Sequence, residues 1–145
     1  MAGSLDGKAS YRDTVHRSRG IVLLEGYFLP NGVSAPTFTP AGTAAGAPGG
    51  FGHGVVSIVR TGVGTYTLTM DAAYPYLIWW DFQVMLGTAA ATMVQVNTET
   101  VNSTKTVTFT ILAESAGTFA AADIASGPNN RIAFKLSLQA VTVQR

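Results

Sequence analysis

Three stretches of this chain alternate apolar and polar residues with a period of two, a spacing that fits a half-buried β-strand and not a helix. In Thr65-Tyr66-Thr67-Leu68-Thr69-Met70, the side chains of Tyr66, Leu68 and Met70 fall on one face and three threonines on the other. Thr106-Val107-Thr108-Phe109-Thr110-Ile111 repeats the device with Val107, Phe109 and Ile111 inward, and Ile132-Ala133-Phe134-Lys135-Leu136-Ser137-Leu138 repeats it again. Strands with one buried and one solvated face pair antiparallel. A further strand over 21–29 ends at the turn signal Pro30-Asn31-Gly32, and 55–61, 77–86 and 93–101 supply three more. The only helix candidate, 119–124, is too short to matter. The expected fold is therefore all-β, an antiparallel β-sandwich or jelly roll of seven to eight strands around one core.

Two segments stand apart from this pattern. Residues 1–19 carry six of the seventeen charged residues and show neither a helical nor a strand period, so they read as an N-terminal arm, either frayed or ordered on a partner. In residues 40–54, twelve of fifteen positions are Gly, Ala or Pro, with almost no side chain to pack. A long exposed loop over 36–54 is expected there. The division that follows is an arm over 1–19 and a single β-sandwich domain over 20–145.

Composition narrows the function classes. With 47% hydrophobic residues, 12% charged residues and a net charge of +1, the chain lacks the basic excess that nucleic-acid binding uses. So low a charge fraction leaves little polar surface for a monomer and points to burial between subunits. The absence of cysteine excludes a disulfide framework and thiol chemistry. No apolar stretch approaches the roughly 18 residues of a membrane helix, and 1–19 has no apolar core like that of a secretory signal, so a cytoplasmic origin without a membrane partner is expected.

Site chemistry is sparse. His16 and His53 stand without the neighbours that a metal site or a nucleophile–base pair needs. Gly49-Gly50-Phe51-Gly52-His53-Gly54 has glycines like a phosphate-binding loop, but it leads into the strand pattern Val55-Val56-Ser57-Ile58-Val59 instead of a helix. Asn102-Ser103-Thr104, formally a glycosylation sequon, reads as a hairpin turn. No catalytic, cofactor-binding or metal residue is expected. Trp79 and Trp80 are adjacent on a strand and must point to opposite faces, one toward the core and one outward. An outward indole belongs to a covered core, a subunit interface or a sugar-stacking platform.

From 62 to 138 the order of motifs resembles a group of small virion proteins of tailed bacteriophages. The resemblance rests on Gly62-Val63-Gly64-Thr65-Tyr66-Thr67-Leu68, Val94-Gln95-Val96, Lys105-Thr106-Val107-Thr108-Phe109 and Asn130-Arg131-Ile132-Ala133-Phe134-Lys135-Leu136, about half of the chain. It implies a non-enzymatic, trimeric jelly-roll protein without cofactor, located on the virion and assembled in the host cytoplasm. Its role would be capsid decoration (cement), or alternatively a tail fibre or spike head domain that binds a receptor or carbohydrate. The long Gly/Ala loop and the tandem tryptophans depart from the group's pattern. On the decoration reading the partners are the major capsid protein and two further copies of the chain. Arg12, Arg17, Arg19, Phe51 and His53, in the two extended segments, are the expected capsid contacts, and Trp79 and Trp80 the expected subunit interface.

Overall fold

The computed structural model describes residues 20–40 and 50–140. Two antiparallel sheets are built from β1 (Ile21–Phe28), β2 (Gly50–Gly52), β3 (Val55–Gly62), β4 (Thr65–Met70), β5 (Tyr76–Met85), β6 (Thr92–Thr100), β7 (Thr106–Ser115), β8 (Thr118–Ala121) and β9 (Arg131–Gln139). The first sheet runs β2-β1-β9-β5 and the second β3-β4-β7-β6, with β8 pairing β7. The all-β sandwich expected from the period-two stretches is the fold observed: eight strands of four or more residues plus the three-residue β2.

The alternating strands build the core. Tyr66, Leu68 and Met70 of β4, Val107, Phe109 and Ile111 of β7, and Ile132, Phe134, Leu136 and Leu138 of β9 are all buried. Leu24 and Phe28 of β1 join them from the first sheet. Aromatic rings bridge the two layers: Phe28 lies 5.1 Å from Tyr66 and 6.2 Å from Phe109, and Phe82 of β5 lies 4.2 Å from Phe109, centroid to centroid. Such offset ring contacts add about 0.5 to 1.5 kcal/mol each beyond the area they bury.

The expected loop over 36–54 is corrected at its end. Gly50–Gly52 forms β2, with Gly26 opposite Gly52 and Phe28 opposite Gly50. A Cβ on Gly52 would stand 2.9 Å from the Phe134 ring and 3.2 Å from Phe38, so glycine here serves close approach to two aromatic rings and not chain freedom. Thr37 also pairs with Leu29 through two backbone hydrogen bonds. Residues 41–49 lie outside the described residues. The helix candidate at 119–124 overlaps β8, which closes a hairpin on β7.

The threonine faces are less solvated than the sequence pattern implies. Thr65 and Thr110, and Thr67 and Thr108, share hydroxyl hydrogen bonds of 2.9 and 3.0 Å across the β4–β7 pair, and Asn97 donates to the Thr110 hydroxyl at 2.7 Å. Neighbouring threonines cover one another, leaving Thr108 half-buried and Thr110 buried.

Along one side of β7, β4 pairs with Thr106–Thr110 and β8 continues from Leu112. Gly64 stands at the junction, with φ +60, where a Cβ would sit 2.7 Å from the carbonyl oxygens of Ile111 and Ala122. At the start of the domain, Ala140 donates its backbone N–H to the Gly20 carbonyl, so the two ends of the described fold meet beside the β1–β9 pair.

Candidate interaction surface

β5 and β6 are terminal strands of their sheets, and the connection 86–91 carries the chain from one to the other on the same flank of the sandwich. Neither strand contains a buried residue. Their inward side chains, Leu77, Phe82 and Val84 on β5 and Val94 and Val96 on β6, are only partly buried against the core. The inward residues of β4, β7 and β9 are fully covered. Around this thin edge, Tyr76 is 63% exposed, Ile78 50%, Trp79 51%, Trp80 45% and Met85 51%, and Met93 of β6 is 49% exposed.

The register places the two tryptophans on opposite faces, as the sequence predicts. Trp80 lies opposite Leu136, a core residue, whereas Trp79 lies opposite Ser137 on the outer face. The two do point to opposite faces, but neither is enclosed: β5 has no strand on its free side among the described residues, and the indole on the inward face stays 45% exposed. Ile78 is an extra residue in a bulge between Leu77 and Trp79. Bulges increase local twist and disturb pairing on a free edge.

On the outer face Trp79 is followed by Asp81 and Gln83, and the Gln83 amide donates to Asp81 at 2.9 Å. Lys135 pairs in register with Asp81 on one side and Glu25 on the other, so a single cation sits between two carboxylate-bearing strands. Farther along, the Arg131 guanidinium lies 5.8 Å from the centroid of the Tyr27 ring.

The other residues expected to make contacts are placed elsewhere. Arg12, Arg17 and Arg19 lie outside the described residues. Phe51 is in β2, opposite Tyr27, and His53 is exposed in the turn that leads from β2 to β3. Since β2 and β5 are the two ends of one sheet, the structure separates Phe51 and His53 from Trp79 and Trp80 by two intervening strands.

The polar clusters elsewhere hold loops together. The Arg60 guanidinium binds both carboxylate oxygens of Asp123 at 2.8 Å, and the Gly64 backbone N–H donates to the same carboxylate at 2.8 Å. The hydrogen bond from Arg60 holds the Asp123 carboxyl below its usual range, aided by Gly64. This clamp fixes the chain after β8 onto the β3–β4 turn. Its partners are 63 residues apart, with no local motif to announce them. Burial pushes the Tyr66 phenol up, and its hydroxyl has no hydrogen-bond partner among the described residues. A groove of about 460 Å³ is bordered by Leu86, Gly87, Thr88, Asp123, Asn129 and Asn130. There Asn130 accepts from the Gly87 N–H at 2.8 Å and donates to the Ala125 carbonyl at 3.0 Å, so its amide is committed to the loop. Among the described residues, no three His, Cys, Asp or Glu side chains gather as a metal site would require.

Comparison of the chain with protein-family models, with curated proteins and with solved structures finds no match in any of the three.

Proposed function

We propose that this chain is a non-enzymatic structural protein of a bacteriophage virion, a capsid decoration (cement) protein that acts as a homotrimer on the outer surface of the head. The observation that carries the assembly part of this reading is the β5–β6 flank, where partly buried core residues and exposed aromatic and aliphatic side chains occur together. A surface of this kind is a contact surface. The virion assignment rests on the motif resemblance alone. In this reading the β2 edge, with Phe51 and His53, and the arm with Arg12, Arg17 and Arg19 face the major capsid protein. The opposite edge is left for neighbouring copies. Extended segments of this type bind by filling crevices between subunits. Quantitative mass spectrometry of particles from cells expressing the gene tests the assignment. A copy number comparable to that of the major capsid protein supports decoration, and absence from particles overturns it.

A second reading, a fibre or spike head domain that binds carbohydrate, is favoured by one feature. Trp79 offers an exposed indole beside the hydrogen-bonded pair Asp81 and Gln83, which combines a stacking surface with polar groups on one strand. A copy number matching the tail fibres, together with quenching of tryptophan fluorescence by an oligosaccharide, would select it.

A further inference from the structure

We infer that copies of this chain join through the β5–β6 flank, by packing of side chains around Trp80 and not by continuation of a sheet. The inference rests on the self-association part of the proposed function and specifies its seam; capsid attachment is not required for it.

Three observations identify the occupant as another copy. First, among the described residues nothing covers the flank: Leu77, Phe82, Val84, Val94 and Val96 face inward yet stay partly open, a defect that an apolar body would close. A sugar, whose hydroxyls need hydrogen-bond partners, does not complete a core. Second, the available surface has the right size. The exposed side chains wrap the edge, with Tyr76, Trp79 and Met85 on the outer face of β5, Trp80 on its inward face, Ile78 in the bulge and Met93 on β6, and together offer on the order of 600 Å², against about 800 Å² per partner in a standard interface. Third, like surfaces can meet here without charge repulsion. In its ten residues β5 has one charged side chain, Asp81, which pairs in register with Lys135, and the only charge on β6 is Glu99 near its far end. The bulge at Ile78, in the pairing of β5 with β9, adds local twist to the terminal strand and argues against continuation of the sheet, which places the join on side chains. Flanks of three copies converging on a threefold axis would bury Trp80 at the centre.

The test uses the full chain and its lack of cysteine. Sedimentation velocity across micromolar concentrations should give three times the 15.1 kDa chain mass. Ile78→Lys should reduce that mass to a single chain, while Val59→Lys, at an exposed position on β3 of the opposite edge, should leave it unchanged. Should Ile78→Lys fail to fold, Ile78→Cys and Met93→Cys provide the second measurement: mild oxidation should link copies through either residue, and Val59→Cys should remain unlinked. A dimer that Ile78→Lys dissociates upholds the seam and overturns the threefold arrangement. An oligomer that survives Ile78→Lys, or that Val59→Cys links in preference, overturns the seam while leaving self-association standing. A wild-type chain of 15.1 kDa at every concentration overturns both, and fluorescence quenching by oligosaccharide in such a monomer would assign the flank to sugar.

Discussion

β4 and β5 differ in what their sequences can tell. In β4 every second residue is buried, and in β5, a longer and more hydrophobic strand, none is. The difference is one of position. β4 lies inside its sheet, between β3 and β7, whereas β5 closes the end of its own. Hydrophobicity alone does not decide burial; a side chain on the inward face is covered only if something stands beyond the strand to cover it. The molecule thus has a closed half, organised by β4, β7 and β9, and an open flank at β5 and β6.

The largest expected effect lies in the closed half. Phe109→Ala should cost about 3 to 5 kcal/mol, since the ring is buried among Phe28, Tyr66 and Phe82. Phe82→Ala, which removes the partner ring 4.2 Å away on the flank, should cost less, about 1 to 2 kcal/mol, because half-open positions collapse or hydrate. Urea melts of the two variants check this, and equal losses would show that the flank is as closed as the interior.

Thr108→Ala sharpens the comparison at the surface. A solvated threonine would change stability by within about 0.5 kcal/mol. Thr108 is half-buried and bonded to Thr67, so a loss of about 1 kcal/mol is expected in the same melts. A negligible loss would return the threonine face to solvent.

The clamp between Asp123 and Arg60 predicts a pH dependence. The folded carboxyl titrates below its unfolded range, so its contribution is complete above about pH 4 and is lost as pH falls through the lower folded value. Asp123→Asn should therefore melt below the wild type at pH 7, and the gap should close in strong acid. Thermal melts at both pH values check it; a gap that persists in acid would assign the loss to packing.

The smallest effect is expected at Trp79, half-exposed on the outer face. Trp79→Ser should change the stability of the isolated chain by within about 0.5 kcal/mol, while making the melting temperature less dependent on protein concentration. A concentration-independent wild-type melt would remove the distinction between stability and association.

The same division accounts for what could be read from the sequence. Period-two alternation located β4, β7 and β9 and assigned their inward residues, because interior strands translate pattern into burial directly. β2 was missed: Gly50-Phe51-Gly52 looks like flexible chain, and its glycines acquire meaning only from the rings of Phe38 and Phe134, supplied by distant segments. The tandem tryptophans predict the opposite faces that the register shows, whereas the exposure of the inward indole was not legible, since a strand's neighbours are not written in its own residues. Arg60 and Asp123 are two ordinary charges until the sheets bring them together.

The meeting of Gly20 and Ala140 has a practical consequence. In the rows beside it, Ile21 pairs with Gln139 and Gln139 with Tyr76, so this corner adjoins the flank on which the tryptophans stand. A fluorescent protein or antigen inserted through short linkers between residues 19 and 20 or between 140 and 141 leaves from the same corner and would crowd neighbouring copies there. A circular permutant that links this corner internally and opens at Asn102, in the exposed hairpin between β6 and β7, would move the cargo to another point on the sandwich without cutting a strand.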